Sequence, residues 1–291
     1  MQAGRERTPL ARANSTRRST ELSQPVRTGC DGFLETGVKR DGTAPPAGGP
    51  PAHARPIAFA APVELEAFID EAYRRGSVPD AAGAQVDLAP HSVTREQGEA
   101  LRELAASEGA TETIEVGLAL GMSGLFLCEA VRERQGRHTA IDPFQQESWN
   151  GAGRRTLEEA GVADVVELIE EESQLALPRL VGEGREFDLA FVDGDHRFEG
   201  VFLDLYFMTR LVRPGGVVVV DDMWMPAVRT AVAYLEKNLG ASLEPDRLPG
   251  AFRWRRRPLT RGIPGGTGDT AVLRLPKERP EPGWDEFVPP Y

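Results

Sequence analysis

The chain is short of cysteine, lysine and histidine. Cys30 and Cys128 are its two cysteines in 291 residues, one in an N-terminal tail and one in an apolar helical stretch. They make no disulfide framework, so a reducing, cytoplasmic setting is expected. No apolar run approaches the ~18 residues of a spanning helix, which excludes a membrane protein of that kind. The opening "MQAGRERTPLARANSTRRST" lacks the apolar core of a secretory signal and reads as an unstructured extension. Three of the 34 basic residues are lysine, a bias expected of a GC-rich bacterial genome. Basic charge is also scarce where the fold must lie. Residues 1–57 hold nine basic against five acidic side chains, and 58–291 hold 25 against 40. So acidic a body does not neutralise phosphates, so no nucleic-acid partner is expected. It suits a cationic ligand or metal ions.

What is present is a regular alternation. Residues 1–57 are rich in Gly, Pro, Ser and Arg and are expected to be disordered. Residues 58–110 read as an N-terminal helical cap segment, and 111–291 as the core. "PVELEAFIDEAYRRG" (62–76) places Leu65, Phe68, Ile69 and Tyr73 on one helical face. A second helix is expected near 93–108, with Thr94 as N-cap and Gln97 at capping-box spacing. Strands at 111–117, 137–144, 165–171, 187–194 and 215–222 then alternate with helices at 122–134, 151–161, 173–182, 198–212 and 226–238. A last strand is expected at 270–277. The strands are continuous apolar runs, as in a parallel sheet covered on both faces. Five β–α units in order predict a doubly wound α/β domain.

Ligands of open parallel sheets bind outside the carboxyl ends of the strands. There the chain places Glu115 and Gly117, then Asp142, then Asp193, Asp195 and His196, then Asp221 and Asp222. A single carboxylate at a strand end is an ordinary helix cap. Four strands ending this way put mutually repelling charge on one edge, which a bound cation would relieve. The glycine loop "EVGLALGMSG" spaces Gly117, Gly121 and Gly124 differently from G-x-G-x-x-G, which counts against a dinucleotide site. It reads either as a tight strand-to-helix turn or as a close approach to a ligand. Asp142 closes the next strand, where a carboxylate can accept both hydroxyls of a ribose.

Together these motifs resemble those of class I S-adenosylmethionine-dependent methyltransferases, over about residues 90–280. "EVGLALGMS" resembles the family's E-x-G-x-x-x-G-x-S, "AIDPF" its ribose-binding strand end and "VRPGGVVVVDD" its R-P-G-G strand. The match is closer to the metal-dependent catechol-type and natural-product O-methyltransferases. The resemblance implies a mostly parallel, Rossmann-like seven-stranded sheet with helices on both faces. It implies cofactor contacts from Glu115, Gly117, Gly121, Ser123, Asp142, Ser173, Gln174 and Asp193. Ser173 and Gln174 match the adenine-contacting pair. Asp193, Asp221 and Asp222 match the metal ligands, and His196 stands where the family has its catalytic base. The family's base is Lys and its last ligand usually Asn, so His196 and Asp222 depart from the pattern. Many relatives are dimers, so a homodimer is compatible.

The residue types suit methyl transfer to oxygen. A divalent ion, Mg²⁺ by its all-oxygen ligands, lowers the pKa of a coordinated hydroxyl and fixes its position. A neutral His196 can take the proton, or it can be a capping histidine. Asp195 reads as a helix cap or as an orienter of His196. The expected function is methyl transfer from S-adenosylmethionine to a hydroxyl of a small phenol or sugar with metal assistance. The rivals are a metal-free methyltransferase of the same fold and a nucleotide-binding Rossmann protein.

Overall fold

A computed structural model describes residues 65–254 and 266–290. The tail 1–57, with Cys30 and His53, lies outside these residues, as does most of the arginine-rich stretch 252–261.

Helix α1 (Leu65–Arg75) opens the described chain, followed by a hairpin of β1 (Ser77–Pro79) and β2 (Gln85–Asp87) and then α2 (Arg95–Ser107). The α2 start follows local chemistry. Thr94 Oγ1 accepts from the Gln97 N–H at 3.2 Å, and Gln97 Oε1 accepts from the Thr94 N–H at 2.8 Å, a complete capping box. The hairpin carries no periodic apolar signal. Its turn is organised by Asp80, which accepts from the amides of Ala82 and Ala84.

The alternating part runs β3 (Glu112–Val116), α3 (Met122–Arg132), β4 (Arg137–Ile141), α4 (Ala152–Glu159), β5 (Val166–Ile169), α5 (Ser173–Gly182), β6 (Phe187–Val192), α6 (Phe198–Leu211), β7 (Val212–Val220) and α7 (Pro226–Asn238). Short strands β8 (Ser242–Leu243), β9 (Arg253–Trp254) and β10 (Gly266–Thr267) precede β11 (Ala271–Arg274). Seven strands form one sheet in the order β5-β4-β3-β6-β7-β11-β8. The first five are mutually parallel, and β11 runs antiparallel between β7 and β8. The expected doubly wound, mostly parallel seven-stranded sheet is therefore present.

Side chains alternate along each strand, so the sheet has two apolar faces. Leu189, Phe191, Val217 and Val219 face α1, α2 and α3. Ala190, Val192, Val218 and Val220 face α5, α6 and α7. The segment before β3 contributes Ile69, Ala72, Val78, Leu101, Leu104 and Ala105 to the first of these cores. The chain leaves β3 for β4 and β5, then returns to β6 on the other side of β3. The switch point between β3 and β6 is where a doubly wound sheet opens a crevice.

Candidate active site

The crevice starts at Gly117, directly after β3. Its φ is +94°, and a Cβ there would lie 2.0 Å from the Asp193 carbonyl oxygen. Only glycine allows these two strand ends to come so close. The neighbour that demands it is backbone of this chain. Gly121, φ +86°, caps α3 and packs against Gly153 and Thr156 of α4.

Beside Gly117 lies a cavity of about 580 Å³, lined among others by Gly117, Asp142, Ser173, Gln174, Asp193 and His196. Its walls include Phe144, Trp149, Glu172 and Arg197. Asp142 is buried, and its carboxylate accepts from the amides of Ala119 at 2.7 Å and Phe144 at 2.8 Å, and from Gln145 Nε2 at 2.9 Å. It therefore shapes both loops that border the cavity. Glu115, Gly121 and Ser123, expected to touch the cofactor, do not line it. Glu115 is fully buried. One oxygen accepts from Ser123 Oγ at 2.7 Å, and the other lies 3.0 Å from His138 Nε2. Thr113 Oγ1 meets the second nitrogen of His138 at 2.9 Å. This closed polar chain ties β3, β4 and the first turn of α3 together beneath the glycine loop. Buried polar groups need such partners, and here every one is supplied by the chain.

The acidic edge resolves into two directions. Val192 pairs with Val220, so Asp193 and Asp221 are the next residues on adjacent strands. Asp222 follows at φ +57°, a left-handed turn that swings its side chain away from Asp221. Asp222 Oδ2 lies 2.8 Å from His196 Nε2, and Asp193 Oδ1 lies 3.4 Å from the same nitrogen. These three residues bring ligand atoms within 4.8 Å of one another. Asp221 is not in that cluster. Its Oδ1 accepts from Thr270 Oγ1 at 2.7 Å, on the side facing α2. The expected ligand trio is thus divided, with Asp193 and Asp222 beside His196 and Asp221 turned to Thr270.

Electrostatics follow this division. Hydrogen bonds to Asp193 and Asp222 raise His196 to about 10, which makes it an imidazolium at neutral pH. Its neutral form, expected from its ordinary pKa, needs those carboxylates to be engaged elsewhere. Burial raises Asp221 to about 7, and the nearby Asp193 charge adds to the effect. Burial also raises Asp193, against the pull of His196. The His196 hydrogen bond lowers Asp222. Asp195 takes neither expected role. Its carboxylate accepts from the Arg197 amide at 3.0 Å and pairs with the Arg197 guanidinium at 2.9 Å, while the N-cap position of α6 is Arg197 itself.

Of three supporting residues, Arg229 and Asp204 carry no expectation from the sequence, and Trp224, readable as a pocket floor or as core packing, is an exposed partner of Asp222. Arg229 of α7 donates to the carbonyls of Met223 at 2.7 Å and Trp224 at 2.5 Å, bracing the loop that carries Asp222. A cation in the first turn of a helix opposes the macrodipole, and that was the readable signal. Trp224 Nε1 donates to Asp222 Oδ1 at 2.6 Å. Asp204 sits fully buried on the apolar face of α6, with no hydrogen bond to either oxygen. Burial raises it to about 6. Its sequence signal was an acid at a core position, between Val201 and Leu205.

A second cavity, of about 590 Å³, lies on the α2 side of the same edge, and Asp221, Phe191 and Thr270 belong to its lining. Asp193 and Asp221, side by side in register, are the point at which the two cavities approach.

Comparison with known proteins agrees with this geometry. A family model described as a methyltransferase domain matches residues 114–223. Catechol O-methyltransferase of Mycobacterium tuberculosis is 31% identical over 167 residues, covering 56% of this chain and 72% of that one. Tapetum-specific methyltransferase 1 of Arabidopsis thaliana is 35% identical over 117 residues, 40% of this chain and 48% of that one, so the match spans under half of that relative. The O-methyltransferase TomG of Streptomyces achromogenes, solved with S-adenosylmethionine, shares the fold at a TM-score of 0.54 and 22% identity, over 76% of this chain and 92% of that one. By its sheet, its glycine loop and these relatives, the chain belongs to the class I S-adenosylmethionine-dependent O-methyltransferases.

Proposed function

We propose that this enzyme methylates a hydroxyl of a small phenol or sugar, and that a divalent cation held at the β6–β7 edge assists it. The observation that carries the reading is the register of Asp193 beside Asp221, with Asp222 and His196 within reach of Asp193. The donor set fits a hard cation. Asp193 and Asp222 would hold it, and Asp221 would join on leaving Thr270. When bound, such an ion polarises a coordinated hydroxyl and fixes its position.

The chain's own residues do the rest. Gly117, Asp142, Ser173 and Gln174 border the cavity in which the methyl donor would lie, with Phe144 and Trp149 as apolar walls. Close packing at Gly117 sets the donor side against the Asp193 side. Methyl transfer is an in-line displacement, so this alignment supplies proximity. His196 is the candidate base. With Asp193 and Asp222 holding a cation, its Nε2 would be free to accept a proton. The test is methyl transfer to a phenol panel with Mg²⁺, against the same assay with EDTA and with Asp193→Ala. Full activity in EDTA would sink the metal role.

A second reading has one observation in its favour. The His196 imidazolium already supplies positive charge to Asp193 and Asp222. In a metal-free enzyme it would hold those acids itself. Calorimetric titration of Mg²⁺ into the protein saturated with S-adenosylhomocysteine separates the readings, since this one requires no binding heat.

A further inference from the structure

We propose that the second cavity selects acceptors bearing a positive charge, namely a hydroxylated small molecule with an apolar body and an amine. This rests on the methyl-transfer reading for where the acceptor hydroxyl goes, and on the cavity itself for the charge.

The cavity has the volume of a small-molecule site, about 590 Å³. Its inner end is Asp221 and Phe191, next to Asp193 in register, so a hydroxyl at that end stands at the reacting edge. The body of an acceptor would lie on Val93, Ala100 and Leu101, and opposite them on Leu248 and Pro249. The rim is acidic on both sides. Glu96, Glu99 and Glu103 project from one face of α2, and Asp269 comes from the strand-end loop across the cavity. Glu99 is paired with Arg95 at 2.7 Å. No ion pair to Glu96, Glu103 or Asp269 exists among the described residues. No Lys, Arg or His belongs to the described lining.

Charge decides the class of ligand here. An anionic acceptor would enter a space bounded by several unpaired carboxylates, with no basic side chain among the described residues of its lining. Like-charge juxtaposition across an interface is a strong device against wrong partners. An ammonium would meet carboxylates on both walls while its apolar stem covers the floor. A divalent ion at the inner end would leave this rim unchanged, because Glu96 and Glu103 lie on α2, outside the cluster of Asp193, His196 and Asp222.

The experiment uses one body with three charges: tyramine, para-ethylphenol and para-hydroxyphenylpropionate. Each is titrated calorimetrically into the full chain saturated with S-adenosylhomocysteine, and each is offered for methyl transfer. Tyramine is expected to bind about tenfold more tightly than para-ethylphenol, with the propionate weakest. In the Glu96→Gln/Glu103→Gln variant the tyramine preference falls to about twofold. At high salt the wild-type preference narrows in the same way, a control that needs no variant. Equal affinities, preference for the propionate, failure of tyramine to bind, or an unchanged ratio in the double variant would each overturn the proposal. Methylation of all three phenols without charge preference removes this inference and leaves the function intact. Charge-selective binding without methylation of any probe does the reverse.

Discussion

The two cavities at the carboxyl edge of the sheet are nearly equal in size, about 580 and 590 Å³, and differ in how they are made. The first is built from strand ends. Its shape follows from register, from the Gly117 contact with Asp193 and from Asp142 bonding to both neighbouring loops. The second is built from one face of α2 and from the loops at 248–250 and 268–270. The sheet supplies its inner end, Phe191 and Asp221, and no part of its acidic rim. On the proposed reading the contrast is a division of labour, with a donor site set by topology and an acceptor site set by surface residues that can change without disturbing the fold.

The largest expected effect lies where the two cavities meet. Asp193→Ala should lower methyl transfer on the order of 10³-fold, the size of losing a positioned catalytic group. The sharper comparison is between neighbours. In calorimetric titration with Mg²⁺, Asp222→Asn should weaken binding more than Asp221→Asn, because Asp222 lies in the cluster with Asp193 and His196 while Asp221 is held by Thr270. The reverse order would mean that Asp221 swings to the ion and that the division seen here is undone on binding.

Gly117→Ala tests whether the first cavity is as rigid as its construction implies. The new methyl would meet the Asp193 carbonyl at 2.0 Å in a backbone region that disfavours side chains. A loss of about 3 kcal/mol or more is expected in urea denaturation, with S-adenosylhomocysteine affinity falling alongside. A well-folded variant with unchanged affinity would show that the strand ends can part.

Asp204 lies under the first cavity, packed near Gly194. Its carboxyl is raised from 3.8 to about 6, so the folded chain binds that proton more tightly than the unfolded one. Stability from this group is therefore complete below about pH 4 and is lost as pH rises through about 6. Roughly 3 kcal/mol is at stake between those limits. Asp204→Asn should match the wild type near pH 4 and exceed it at pH 7, measured by urea midpoints. Equal stability of the two proteins at both pH values would mean that the carboxylate finds a partner in solution.

Legibility followed the same line as construction. Helices α5 and α7 were readable to the residue at 173–182 and 226–238, and so was the Thr94–Gln97 capping box, because caps and 3.6-residue periodicity are local. The acidic strand ends were readable because a parallel sheet gathers carboxyl ends at one edge. Their directions were not. Asp221 and Asp222 are adjacent in sequence, and only the left-handed turn at Asp222 and the distant Thr270 decide that they part. Glu115 and Ser123 matched a motif, yet their role depends on His138, which comes from a neighbouring strand. The β1–β2 hairpin left no trace because three-residue strands carry no period. The second cavity joins residues more than 150 positions apart, a distance over which sequence pattern is silent.

The smallest effect ties the readable cap to the unreadable cavity. Gln97 closes the capping box with its Oε1, and its Nε2 reaches Thr270 Oγ1 at 3.4 Å; that hydroxyl in turn donates to Asp221 at 2.7 Å. A local helix start thus leans on the residue that orients an acid at the reacting edge. Thr94→Ala should cost about 1 kcal/mol of stability, the ordinary value of a lost N-cap. If the chain of contacts matters, it should also raise the acceptor KM about two- to threefold while the KM for S-adenosylmethionine stays constant, since small displacements of Gln97 reach the second cavity and not the first. Equal changes in both constants would mean that the two cavities are not independent, and would weaken the division between a donor site set by the sheet and an acceptor site set by α2.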